Sequence, residues 1–273
     1  MMKKPPEYAL NILRRLENAG YGAYLVGGGV RDMLLGRRPK DWDVTTAALP
    51  EETASVFRSH KMTGAEFGTV TVKSGRRWCE VTTHRVDGEY LDSRKPSNVK
   101  FVKSVETDLA RRDFTVNAIA YGLRGEFVDP YGGRNDLDAH ILRTVRNPDV
   151  RFQEDALRML RALRFSAELG FEIEENTRAA IARNARLVGN ISNERVAVEL
   201  RKILMSSRPE IISDCIELGV LSRYDIQNGD FRYIKRLPKE ETVRWAAFAE
   251  TSGGGREVLK ALHLPKRIFN SVE

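Results

Sequence analysis

Three consecutive glycines, Gly27-Gly28-Gly29, close an apolar run, and two aspartates, Asp41 and Asp43, follow with one residue between them. The stretch reads LVGGGVRD…DWDVTT, and it constrains the chain more than any other. On an extended strand, residues two apart share a face, so Asp41 and Asp43 project together while Trp42 turns into packing. Paired carboxylates repel unless a cation sits between them, and hard oxygen ligands suit Mg²⁺. A glycine-rich turn ahead of them lets backbone N–H groups approach an anion closely, ideally at the start of a helix. An isolated D-x-D or a glycine cluster is common and means little. In this order and at this spacing, the two imply metal-assisted phosphoryl or nucleotidyl transfer. No G-x-x-x-x-G-K-[ST] or strand-linked G-x-G-x-x-G competes with that reading.

The chain has 273 residues, enough for one large domain or two modest ones. Hydrophobic residues make up 41% and charged ones 30%, the balance of a soluble globular protein. No segment has the apolar length of a membrane span, and MMKKPPEYAL lacks the apolar core of a signal peptide. Cys79 and Cys215 are too few for a disulfide framework or a structural zinc site, so the cytoplasm is the expected compartment. Net charge is +7, and Arg111, Arg112, Arg143, Arg146, Arg151, Arg158, Arg161 and Arg164 crowd one stretch. That crowding reads as a face toward phosphate or RNA. A solvated helix face is the plainer alternative.

Periodicity predicts an amphipathic helix within residues 1–20, a strand over Tyr24-Leu25-Val26 and a helix over Val30–Leu35. A second strand covers Asp43–Thr46, and residues 50–59 form a helix opened by Pro50. Strands over Thr69–Val72 and Trp78–Thr83 flank a Ser74-Gly75 turn. Residues 87–97 have the composition of a mobile loop. After residue 140 strand signals stop, and apolar residues at 152, 156, 159, 160, 163 and 167 sit on one helix face. The expected architecture is an α/β head to about residue 145 followed by an all-α remainder.

Three further constellations carry chemistry. Glu80 lies in a predicted strand, where it either joins the aspartates or faces water. In RRDFTVNAIAY, Asp113 and Asn117 are four apart and on a helix share a face, suited to a ribose hydroxyl pair or to helix capping. DPYGGRNDL is a turn that links head to helices. In QEDALRMLRALRF, Glu154, Asp155 and Arg158 reach a common helix surface, ordinarily as an intrahelical salt bridge. A sharper reading concerns base edges. Cytosine and adenine each place an amino donor beside a ring-nitrogen acceptor, which an Asp–Arg pair complements. Uracil and guanine present the reverse pattern and leave both protein groups mismatched.

These segments, with SNERVAVELRKIL, occur in the order found in class II tRNA nucleotidyltransferases, the CCA-adding enzymes, which are similar to bacterial poly(A) polymerases. The resemblance covers residues of about 20 to 205 on five ordered motifs. It implies a polymerase-beta-like α/β nucleotidyltransferase head over 1–145, an all-α neck with the base template over 146–205, and a partial, truncated helical body over 206–273. It also implies Asp41 and Asp43 as holders of two Mg²⁺ ions, with Glu80 as a third catalytic carboxylate. Gly27, Gly28 and Arg31 fall at the triphosphate, Asp113 and Asn117 at the ribose, and Arg112, Asp155 and Arg158 at the template for the base. Arg161 completes the nucleotide-binding set. The implied partners are tRNA, CTP and ATP. Relatives carry further body and tail helices, whereas this chain stops at LHLPKRIFNSVE in periodic helical sequence.

Several activities remain in view: full CCA addition, A-only or CC-only addition, poly(A) synthesis, or a non-catalytic RNA-binding module. Enzymes of the CC-only type tend to lack the loop that DGEYLDSRKP provides here, and poly(A) polymerases usually carry a long basic tail. Three clustered carboxylates have no purpose in a mere binding module.

Overall fold

Polarity alternates along TVTVKS and RWCEVTT, and each run becomes a strand with one apolar and one polar face. In the computed structural model, which describes residues 4–88, 98–227 and 229–270, these strands belong to the main sheet of the first of two compact units. Of the described residues, the first unit takes 4–88, 98–139 and 143–146, and the second takes 140–142 and 147–270.

The strands of the first unit are β1 (Ala23–Val26), β2 (Asp43–Thr46), β3 (His60–Lys61), β4 (Thr69–Ser74), β5 (Arg77–Thr83), β6 (Arg85–Asp87), β7 (Val99–Phe101), β8 (Ala120–Tyr121) and β9 (Phe127–Val128). Seven form one sheet in the order β3-β4-β5-β2-β1-β8-β9, and β6 pairs with β7 separately. Neighbours are antiparallel except β2 and β5, which run parallel. The two-residue strands escape a periodicity reading because they are too short to show one.

Register explains the two faces. Leu25 lies opposite Val44, Val44 beside Val81, Val81 opposite Val70, and Cys79 opposite Val72. Paired residues point the same way, so these six form one buried apolar face. Helix α1 (Glu7–Asn18) covers it with Ala9, Ile12, Leu13 and Leu16, which recur at helical spacing. Each such leucine or isoleucine is worth about 1.5–3 kcal/mol on burial. Helix α3 (Pro50–Val56) also packs on β4 and β5, and its Glu52 accepts the Leu49 N–H at 2.7 Å. On the opposite face, Val26 packs with Val105 and Leu109 of α4 (Val105–Leu109) and with Ala118, Ala120 and Val145. Asp43, Thr45, Glu80 and Thr82 occupy the remainder of that face.

DPYGGRNDL does more than turn. Asp129 accepts the N–H groups of Gly133 and Arg134 at 2.7 and 2.9 Å and so starts helix α5 (Gly133–Asp138). A Cβ on Gly133 would lie 2.2 Å from the Thr115 carbonyl oxygen. Asp136 in α5 accepts the Thr115 hydroxyl at 2.6 Å. The motif therefore buttresses the 3-10 turn Thr115–Asn117 that carries Asn117.

The second unit is mainly helical: α6 (Pro148–Glu154), α7 (Leu157–Leu169), α8 (Glu175–Asn184), α9 (Asn193–Leu204), α10 (Ile211–Glu217), α11 (Glu241–Thr251), α12 (Gly255–Ala261) and α13 (Lys266–Phe269). Two expectations are corrected here. Strands continue past residue 140, because β10 (Ile141–Leu142) pairs in parallel with β11 (Glu172–Ile173). The apolar positions from 152 to 167 also do not share one helix. Asp155 adopts φ −143° and ψ 101°, which ends α6. Its carboxylate then accepts the Leu157 N–H at 3.1 Å and helps start α7.

Most of the loop read at 87–97 lies outside the described residues. Among the described residues, no helix is long and apolar enough to cross a membrane.

The Gly133 contact is with backbone, which cannot swing aside as a side chain can. Gly133→Ala should lower stability by about 1–3 kcal/mol, the usual cost of overpacking, as measured by urea unfolding. An unchanged midpoint would show that the Thr115 turn yields freely.

Candidate active site

Strand β1 ends at Val26, directly across from Asp43 in the register of β1 and β2. The chain then turns at Gly27, whose φ of +72° and ψ of −142° are left to glycine. Helix α2 (Gly28–Leu34) follows immediately. A side chain on Gly27 would also intrude, because a Cβ there would lie 3.3 Å from Arg112 Nη1 and 3.7 Å from Asp43 Oδ2. Gly27, Asp43 and Arg112 thus surround one small space.

Glu80 joins them by register. It stands one residue ahead of Val81, as Asp43 stands one ahead of Val44, and the two valines are paired across the parallel strands. Asp41 precedes β2, and Trp42 is buried as its alternation with the aspartates requires. Asp43 is reachable by solvent yet hemmed in by protein, the situation of a group in a concave site. Loss of hydration, then the charges of Asp41 and Glu80, push its pKa up to about 6 against the pull of Arg112.

Arg112 is positioned by a residue that sequence reasoning missed. Asp108 in α4 is fully buried and takes Arg111 Nε at 2.9 Å and Arg112 Nη2 at 3.2 Å. It also accepts the Thr45 hydroxyl of β2 and the Arg85 N–H, both at 3.3 Å. Burial alone would raise its pKa, but the two guanidinium groups outweigh that and hold it below the usual carboxylate range. The signal was the D-x-x-R-R spacing, which puts both arginines one helical turn from the aspartate. Arg112 Nε is buried with no hydrogen-bond partner, a donor that a ligand oxygen would satisfy.

Arg31, Asn117 and Asp113 form a second buried chain. Arg31 donates to Asp32 at 2.7 and 2.9 Å and to Asn117 Oδ1 at 2.9 Å. Asn117 Nδ2 donates to Asp113 Oδ1 at 3.0 Å, and the Phe114 N–H donates to the same oxygen at 2.8 Å. Asp113 and Asn117 therefore meet as expected, although on a bend and a 3-10 turn instead of one α-helical face. Gly28 lies beside the Arg31 guanidinium, 3.6 Å from where its Cβ would stand.

The other expected residues belong to the second unit. Arg158 donates to Glu154 at 2.6 Å and to the Arg151 carbonyl at 3.1 Å. Asp155 faces Arg195 at 3.7 Å. Burial raises the Asp155 pKa, opposed by Arg195, by its hydrogen bond from Leu157, and by Arg158 and Arg161. The Arg161 guanidinium stands 5.3 Å from the Phe165 ring. The arginine-rich stretch is largely internal: Arg111 and Arg112 serve Asp108, Arg143 serves Asp136, Arg151 and Arg158 serve Glu154, and Arg164 serves Glu168 and Glu199. The reading of this stretch as a face toward phosphate or RNA therefore has to be argued residue by residue. Charge matching within the fold accounts for most of it.

Among the described residues, no group of three or more His, Cys, Asp and Glu converges closely enough to hold an ion. The fit to a divalent cation rests instead on Asp41 and Asp43, with Glu80 nearby. Mg²⁺ suits that arrangement, since it takes one or two carboxylates and leaves positions for phosphate oxygens and water. The cost of ionising Asp43 in this setting, from burial first and then from its neighbouring carboxylates, is measurable without catalysis. The folded Asp43 takes its proton at about 6, against 3.8 for an unperturbed carboxyl, so protonation stabilises the metal-free fold as pH falls through that window. Asp43→Asn should melt higher than the wild type in EDTA above about pH 7, with the gap closing below 6. Added Mg²⁺ should raise the wild-type melting temperature more than that of the variant. A gap independent of pH would show that burial and the neighbouring carboxylates do not raise the Asp43 pKa.

The family model described as the poly A polymerase head domain matches residues 23–143, and the model described as a probable RNA and SrmB-binding site of polymerase A matches 170–222. A CCA-adding enzyme of Geobacillus thermodenitrificans is 42% identical over 282 residues, covering 98% of this chain and 69% of that protein. One from Geobacillus kaustophilus is 50% identical over 203 residues, covering 74% of this chain and 50% of the relative. The chain thus aligns with half to about two thirds of these relatives' length. Among solved structures, the Bacillus stearothermophilus CCA-adding enzyme in complex with CTP superposes with a TM-score of 0.86 at 37% identity, covering 98% of this chain and 68% of that one. The Thermotoga maritima CCA-adding enzyme complexed with tRNA_CCA, at 22% identity and a TM-score of 0.75, shares the fold. With its glycine turn, carboxylate strand and Arg31–Asn117–Asp113 network in the matched head, the chain belongs to the CCA-adding enzyme family of nucleotidyltransferases.

Proposed function

We propose that this protein adds CCA to the 3′ end of tRNA from CTP and ATP, without a nucleic-acid template. The observation that carries the reading is the open carboxylate group of Asp41, Asp43 and Glu80, with Arg112 opposite and the Gly27 turn alongside. The names of the relatives support it: several are CCA-adding enzymes, and one neighbour is a complex with CTP.

Asp41 and Asp43 would hold Mg²⁺, with Glu80 as the third carboxylate. When bound, the metal supplies positive charge that acidifies the attacking hydroxyl and offsets charge on the leaving phosphates. The 3′-hydroxyl of the RNA attacks the α-phosphorus in line, and pyrophosphate leaves. Gly27 and Gly28 let the triphosphate approach the backbone, and Arg31 neutralises part of its charge. Asp113 and Asn117 receive the ribose, already oriented by the hydrogen bonds they make to each other and to Arg31. Arg112, Asp155 and Arg158, with Arg161, read the base. A carboxylate acceptor beside a guanidinium donor fits cytosine and adenine and leaves both groups unsatisfied against uracil and guanine.

A gel extension assay tests this reading with tRNA ending at the discriminator base and tRNA ending in CC, given CTP, ATP or both. Three-nucleotide extension of the first substrate, requiring both nucleotides, is the expected result. Single A addition confined to the CC-ending substrate would make this an A-adding enzyme, and no extension of either would overturn the proposal. Asp41→Ala and Asp43→Ala should each cut extension by about two to three orders of magnitude or more, the scale of one lost transition-state contact. Asp155→Ala should admit UTP while slowing CTP incorporation less. Unchanged exclusion of UTP would sink the base-reading role.

A further inference from the structure

The first unit contains a second concave site that the carboxylate chemistry does not use. A cavity of about 480 Å³ is lined by Lys4, Pro6, Tyr8, Arg38, Pro39, Lys40, Trp42 and Arg77. Its size is that of a small-molecule site. The lining is of one sign: four cations and no carboxylate. Among the described residues, none of the side chains of Lys4, Arg38, Lys40 and Arg77 has an ion pair or a hydrogen bond, whereas most arginines in this protein are paired. All four are exposed. Four unneutralised cations around one hollow repel one another and favour an anion between them. The first turn of α1 lines the same cavity, and Pro6 gives it no side-chain cap, so the positive end of that helix adds to the field.

The remaining lining is flat and apolar. Trp42 and Tyr8 are aromatic, and Pro6 and Pro39 add rigid surface. An inorganic phosphate would neutralise the cations and leave this surface to water. A base with an attached phosphate satisfies both parts, since aromatic surfaces stack on bases of any identity and lysine or arginine takes the phosphate. Two carboxylates adjoin the lining by chain: Glu7, between Pro6 and Tyr8, pairs with Arg14 at 3.1 Å, and Asp41, between Lys40 and Trp42, exerts its charge on Tyr8.

We propose that this cavity is a second nucleotide-binding site, separate from the carboxylate site. It takes one nucleoside phosphate, with the base against Tyr8 and the prolines over the buried Trp42 and the phosphate among Lys4, Arg38, Lys40 and Arg77. The ligand is either a free nucleotide or one residue of an RNA strand. Trp42 links the two sites covalently, because its flanking residues are Asp41 and Asp43. Occupancy therefore bears on the segment that carries both aspartates.

Photolabelling of the full chain tests this, using azidoadenosine monophosphate in one arm and a short RNA carrying a single azidoadenine in the other. Labelled peptides are then mapped by mass spectrometry. Labelling at Tyr8 or Trp42 is expected, and Arg38→Glu with Arg77→Glu should reduce it about tenfold or more. The same label should persist in Asp43→Ala, which separates this site from the carboxylate chemistry and its fate. Circular dichroism melts of the double variant exclude unfolding as the cause of any loss. Labelling by the mononucleotide identifies a free-nucleotide site, and labelling by the RNA alone identifies an RNA-strand site. Label confined to other residues, label at Tyr8 or Trp42 indifferent to the charge reversals, or equal labelling by phosphate-free azidoadenosine would each overturn the proposal.

Discussion

The buried carboxylate of Asp108 holds the head in working order. It ties α4 to β2 through Thr45, to the start of β6 through the Arg85 N–H, and to two guanidinium groups. A lone buried charge is costly enough that none of these partners is optional. The arrangement is reciprocal. Asp108 needs Arg111 and Arg112 to remain ionised, and Arg112 needs Asp108 to stay beside Gly27 and Asp43. A structural ion pair thus fixes the guanidinium set against the rise in the Asp43 pKa. The attraction that steadies the fold is the same one that places a cation over the site.

The sheet makes that economy possible. Strands β2, β4 and β5 give valines and Cys79 to the α1 face, and threonines, Asp43 and Glu80 to the other. Alternation permits nothing else once the apolar face is buried, because a one-residue slip would bury both carboxylates. The parallel pairing of β2 with β5 then matters for chemistry. It aligns the starts of the two polar runs, so that Asp43 and Glu80 come abreast although 37 residues separate the paired strands' contacts in sequence. Packing on one side of the sheet sets the charge density on the other.

Long-period features were legible in the sequence and short or relational ones were not. The glycine turn, the strand carrying Asp43, the buried Trp42 and the α1 face all announce themselves through spacing. The pairs β8–β9 and β10–β11 contain two residues per strand and exist through their neighbours, so no local pattern could show them. Asp108 has no sequence signal beyond its spacing to two arginines, because its importance lies in burial and in the partners it meets. The pairing within the arginine-rich stretch was hidden for the same reason. Composition counts charges, but only the fold shows that Glu154, Asp136, Glu168 and Glu199 were waiting for them.

The break at Asp155 shows how a helical segment can present two carboxylates for different work. In an unbroken helix Glu154 and Asp155 would sit about 100° apart and compete for the same arginine. With Asp155 extended, Glu154 stays on α6 and clamps Arg158, while Asp155 caps α7 and faces Arg195. Arg158 is further held by the Arg151 carbonyl, so its guanidinium has little freedom left to lose. Rigidity is what the proposed base reading asks for. A donor and an acceptor that can swivel will adjust to either pairing edge, whereas a pair fixed by its own neighbours leaves the wrong edge unsatisfied.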